Sequence, residues 1–103
     1  MKERIRRLPK DRKEELLAAA LKLAEKQGYK NVSRMAIADA CGVSEALLSH
    51  HFGTMVEFRR TLMRYAVKEG NATLVMQGLA DGNPYARKAP EALRLAAITQ
   101  MTA

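Results

Sequence analysis

The stretch SRMAIADACGVSEALLSHHF, residues 33–52, decides the fold. Its patterning predicts a short helix that starts after Ser33 and stops near Cys41-Gly42, and a second that starts after Ser44 and stops near His51. Two short helices joined by a tight, glycine-containing turn make a helix-turn-helix corner. Ile37, Cys41, Val43 and Leu48 fall where such a corner needs apolar contacts. Ala38 sits where the two helices cross, and a larger side chain would force them apart. Gly42 occupies the turn, where a positive φ is needed and glycine adopts it freely. Ser44 is placed to cap the following helix and to leave that helix's amide end open to a phosphate.

Upstream, residues 11–27 read as a helix. Asp11 is the candidate N-cap, with Glu14 at capping-box spacing. Leu16, Ala20, Leu23 and Ala24 form one apolar face, widened by Leu17 and Leu21. Gly28 ends the helix. Leu8-Pro9 is expected to end any regular structure in the segment before it. Downstream, Thr54 and Glu57 repeat the capping-box spacing. They open a fourth helix with Phe58, Leu62, Tyr65 and Ala66 on one stripe and Met63 and Val67 beside it. Gly70 or Asn71 ends that helix, unless Ala72–Leu79 continues it. Asp81-Gly82-Asn83-Pro84 is a turn signal, and a last helix starts at Pro90-Glu91 and carries Leu93, Ala96, Ala97 and Ile98. No alternation of strand type lasts four residues, so the fold class is all-α. The chain divides into a basic arm (1–10), a three-helix unit (11–53) and a helical connector with a dimerisation segment (54–103).

Eighteen Lys and Arg against 11 Asp and Glu give a net charge of +7 on 103 residues. Seven of those cations (Lys2, Arg4, Arg6, Arg7, Lys10, Arg12 and Lys13) stand within the first 13 residues, with Glu3 and Asp11 as counter-charges. Charge this concentrated points to a polyanionic partner, nucleic acid before an anionic membrane surface. No signal peptide and no apolar run of spanning length is read in the chain, so a cytoplasmic setting is expected and no membrane partner. The single Cys41 rules out an intrachain disulfide and a cysteine-based zinc cage, leaving a free thiol that suits the corner as a small hydrophobe. There is no glycine-rich phosphate loop, no paired carboxylates in a plausible cleft and no serine with a credible base and orienting acid. No enzyme activity and no cofactor are expected.

The stretch from about Arg12 to Leu62 resembles the DNA-binding domain of the TetR family of bacterial repressors. Leu16–Ala24, Gly28-Tyr29, Ile37-Ala38, Gly42-Val43-Ser44 and His51-Phe52 carry the resemblance. Gly53-Thr54-Met55 and the short tail ending in Pro90-Glu91-Ala92-Leu93-Arg94 resemble the compact plasmid- and phage-borne repressors of the KorC kind. The resemblance implies a homodimer on a roughly palindromic operator, repressing by occlusion of promoter DNA. Two positions depart from it. Glu45 stands where family members often carry Lys, and Ser49 where they often carry Tyr. Both usual residues are associated with phosphate contacts in the family, so the arm, Lys30 and Arg34 take on more of the electrostatic task.

In such a domain the third helix enters the major groove N-terminus first. Glu45, Ala46, Leu47 and Ser49 are then the candidates for base edges. Glu45 can accept from a cytosine amino group, and Ala46 or Leu47 can touch a thymine methyl. Ser33, Arg34, Ser44, His50 and His51 are candidates for phosphates, which set register rather than sequence. Arg4, Arg6 and Arg7 of the arm, with Lys2, are candidates for phosphates or an adjacent minor groove. Competing readings are plain. Glu45 can serve the helix dipole alone, the arm can be a solvated tail, and the methionines can be core filler. His50 and His51, about 100° apart on a helix, cannot share a metal as an i, i+4 pair can. The alternative function is a protein-interaction module, an antirepressor or polymerase-binding factor on the same corner. Finally, 34 residues follow Glu69, too few to enclose a ligand after covering the fourth helix. A dimer held by residues 58–101 is expected, through Val67, Leu74, Val75, Leu79, Leu93 and Ile98, with no small-molecule inducer.

Overall fold

The structure, a computed structural model, describes residues 9–102. Seven helices follow one another among them: α1 (Pro9–Gln27), α2 (Arg34–Cys41), α3 (Glu45–Phe52), α4 (Met55–Lys68), α5 (Ala72–Asp81), α6 (Pro84–Arg87) and α7 (Glu91–Thr102). The described chain is all-α, as its patterning requires.

One cluster of buried side chains runs through the fold. Leu16, Leu17, Ala20 and Ala24 of α1 meet Ile37 of α2, Leu48 and Phe52 of α3, and Phe58, Leu62, Met63 and Ala66 of α4. Leu74 and Val75 of α5, Ala86 of α6 and Ala97 of α7 extend the same cluster. The Phe52 and Phe58 rings meet edge to face, 5.1 Å apart, and join α3 to α4. The apolar positions expected on α1 and α4 thus point inward, with Leu23 and Tyr65 half-buried.

Three turns share one hydrogen-bond pattern. At Gly42 (φ 68°) the Gly42 amide donates to the Asp39 carbonyl and the Val43 amide to the Ala38 carbonyl. This double closure satisfies two of the carbonyls that a helix end leaves open, and it needs a left-handed residue. Gly70 with Asn71, and Gly82 with Asn83, close α4 and α5 in the same way.

Several boundaries differ from expectation. The helix already includes Pro9, so Asp11 lies inside it and is not the N-cap. Lys10, read as part of the arm, therefore belongs to α1. The chain after Gly70 starts a new helix instead of continuing α4, because the Asn71 side chain accepts from the Leu74 amide at 2.9 Å. The expected turn at 81–84 is present and leads into a further short helix, α6, capped by Asn83, whose side chain accepts from the Tyr85 and Ala86 amides.

Two expected dimer contacts are interior. Leu74 and Val75 have no exposed surface, because α5 lies between α4 and α7. Val67, Leu79 and Leu93 are half-buried, and Ile98 is exposed. α7 buries Ala97 against α5 and leaves Leu95, Ile98 and Met101 in solvent.

Polar contacts tie the first four helices to the rest. The Tyr29 amide donates to Gln77 Oε1 at 2.8 Å, and Gln77 Nε2 donates to the Ala24 carbonyl at 3.0 Å. The Tyr29 hydroxyl donates to Asp81 Oδ2 at 2.8 Å. Lys68 at the end of α4 lies 3.5 Å from Glu14 of α1.

Candidate nucleic-acid interface

α3 is anchored on one side and open on the other. Leu48 and Phe52 are buried, while Glu45, Ala46 and His50 are exposed and Leu47, Ser49 and His51 are half-buried. At about 100° per residue, His50 points directly away from the line between Leu48 and Phe52, with Ala46 one turn earlier on the same side. Leu47 flanks them. Glu45 is exposed because it stands in the first turn, where its carboxylate also suits the positive end of the helix.

The two corner helices begin alike. Ser33 Oγ accepts from the Ala36 amide, and Ser44 Oγ accepts from the Leu47 amide, each at 3.0 Å. Each hydroxyl proton stays available to a phosphate oxygen, since a serine oxygen can accept and donate at once. Ser33 and Ser44 are exposed, and Arg34 is half-buried at the first position of α2. Arg4, Arg6 and Arg7 lie outside the described residues.

The corner itself is packed as expected. Ile37 and Ala38 are buried, and Cys41 and Val43 are half-buried against the core. The Cys41 thiol lies 4.0 Å from the Leu16 carbonyl, and burial pushes its pKa up, which keeps it protonated and unreactive.

His51 sits differently from His50. Their rings meet edge-on at 5.7 Å. Partial burial lowers the His51 pKa, and the neighbouring His50, Lys13 and Arg12 lower it further. Lys13 and Arg12 act on it because the start of α1 lies beside the end of α3. The start of α1 thus lies next to the open helix, a proximity that no spacing in the sequence displays. Among the described residues no three His, Cys, Asp or Glu side chains are grouped to hold a metal, and no helix is long and apolar enough to cross a membrane.

Three features escaped the sequence reading. Met35 and Val56 are apolar yet 59% and 58% exposed. Each occupies the first turn of its helix, where helical periodicity is too short to assign a face. Arg59 and Arg60, which the apolar stripe of α4 does not include, come together with Lys30 at a cleft beside Tyr29 and Tyr85. Their separation along the chain gives no local signal.

No curated protein and no solved structure matches the chain. Residues 16–61, a little under half of the chain, match the model of the bacterial regulatory proteins of the tetR family, and the match spans most of α1, the corner and the first half of α4.

Proposed function

We propose that the protein is a transcriptional repressor that binds double-stranded DNA in the cytoplasm as a homodimer, reading a roughly palindromic operator and catalysing nothing. The observation that carries this reading is the open face of α3, held out by a capped, close-packed corner. Ala46, His50 and Leu47 face the groove, with Glu45 and Ser49 at its edges. Ser33, Arg34, Ser44 and His51 are the phosphate contacts, joined by Arg4, Arg6 and Arg7 of the arm. The Gly53-Thr54-Met55 restart after α3 supports the finer likeness to compact plasmid- and phage-borne repressors. The exposed row Leu95, Ile98 and Met101 supports self-association through α7. Control by protein concentration or a partner protein, without an enclosed inducer, is supported by the filled space between α4 and α5, where Leu62, Met63, Leu74 and Val75 have no exposed surface.

The test is a gel-shift and footprint on the DNA upstream of the gene at physiological salt. Ala46→Asp places a charge at the centre of the open face, in a first helical turn that tolerates acidic residues. Operator affinity should fall by about tenfold or more, the cost of one or more lost base contacts, with the circular dichroism unchanged. Deleting residues 1–8 should weaken binding to all sequences and reduce the log–log salt slope by about 0.9 per lost phosphate contact. Unaltered affinity in Ala46→Asp would take α3 off the DNA.

A further inference from the structure

A cleft of about 310 Å³ lies between the α1–α2 loop, the first half of α4 and the α5–α6 turn. Lys30, Arg59 and Arg60 line it, with Asp81 as its carboxylate and Tyr29 and Tyr85 as its rings. Three cations against one carboxylate leave it two charges positive. The carboxylate is already engaged. Asp81 takes Lys30 Nζ at 2.9 Å on one oxygen and the Tyr29 hydroxyl at 2.8 Å on the other. Arg59 and Arg60 have no carboxylate in ion-pair contact among the described residues. Arg59 Nε is also shut off from solvent without a hydrogen-bond partner, an arrangement that proteins avoid unless something else answers the donor. One turn along α4, Arg64 follows Arg60 and rests 5.6 Å from the centre of the Tyr85 ring. The like-charged row on α4 thus continues past the cleft, where it weakens the helix unless an anion neutralises it.

We propose that this cleft is a phosphate site: a phosphate oxygen group is held by the Arg59 and Arg60 guanidiniums, with the organic part of the ester against Tyr85 and Val56. Guanidinium forks match phosphate geometry and hold it through paired hydrogen bonds. A concave wall focuses the positive field on the bound group. The exposed Val56 gives the ester an apolar surface that bulk water does not reward. Two sources share this chemistry, a free phosphate ester and a backbone phosphate of DNA. The site itself stands without the DNA-binding reading, and only its second source rests on it.

Phenyl phosphate is the probe, titrated into the full-length protein without DNA at constant ionic strength and followed by amide chemical shifts. Saturable shifts confined to the cleft residues are expected. Arg60→Gln, an exposed position, should raise the dissociation constant by about tenfold, the size of one lost charge-assisted interaction. Arg59→Gln should do the same, while Arg87→Gln on α6 should leave it unchanged. If Arg60→Gln also lowers the salt slope of DNA binding by about 0.9, and phenyl phosphate competes with DNA, the source is the DNA backbone. If the slope is unchanged, it is a free ester. Unsaturable or dispersed shifts, or equal binding by Arg60→Gln and Arg87→Gln, would overturn the site.

Discussion

His51 shows how one position can carry both structure and a condition on its use. Burial, His50, Lys13 and Arg12 all favour its neutral form in the folded chain. The unfolded chain takes up the proton first, near the ordinary histidine value of about 6.5. The stability that His51 allows is therefore complete above that value and declines as pH falls from it toward the lower folded value. Urea midpoints at pH 8 and pH 5.5 should separate more in the wild type than in His51→Gln; equal separations would remove His51 from the acid response. The sequence marked His51 for the DNA face by its place in the motif. It could not show this depression, because Lys13 and Arg12 lie almost forty positions away. Ser33, Gly42 and Ser44 were legible for the opposite reason. Their tasks are local, a cap or a left-handed turn, and each is completed within three or four residues.

Among the elements, α2 and α3 were readable nearly to the residue because each is bracketed by a capping residue and a glycine, and the start of α4 because Thr54 caps it. The boundary between α4 and α5 was not, since Ala72–Leu79 suits continuation as well as restart, and only the Asn71 cap resolves it. α5 also contains a glycine that the sequence gives no reason to protect. Gly78 is buried where α4, α5 and α6 meet, and an added Cβ would stand 2.6 Å from the Ala86 Cβ and 2.8 Å from the Met63 Cε. The methionine end can move aside, but the alanine Cβ moves only with its backbone. Gly78→Ala should therefore lose about 1–3 kcal/mol by overpacking, despite gaining about 1 kcal/mol of helix propensity. Adding Ala86→Gly should restore part of it. A Gly78→Ala protein at least as stable as wild type in urea would show that α6 yields easily.

For the whole molecule, α7 is the least covered element. Its row of Leu95, Ile98 and Met101 recurs every three residues, and it rests chiefly on α5. Ile98→Lys should convert a dimer into a monomer by sedimentation at micromolar concentration while leaving the helical content unchanged. It should also weaken operator binding far more than binding to a single half-site. A wild-type monomer that still occupies a full palindrome alone would end the two-subunit reading. In the dimer the α3 helices should stand about one DNA turn, 34–36 Å, apart. Two of the residues expected to hold a dimer, Leu74 and Val75, lie instead in the chain's own interior. Periodicity marks apolar positions without saying which partner covers them.

The hydrogen bonds from Tyr29 bear on how such a chain can be recombined. A DNA-reading head is often treated as a cassette that can be cut out and attached to another tail. Here the seam runs through shared chemistry. Cutting after Gly70 would strip the Ala24 carbonyl, the Tyr29 amide and the Tyr29 hydroxyl of the partners supplied by Gln77 and Asp81, and would open the Leu62–Met63 side of α4. A working chimera must therefore carry residues 71–86 with the head, so the smallest transplantable unit of this protein ends at α6.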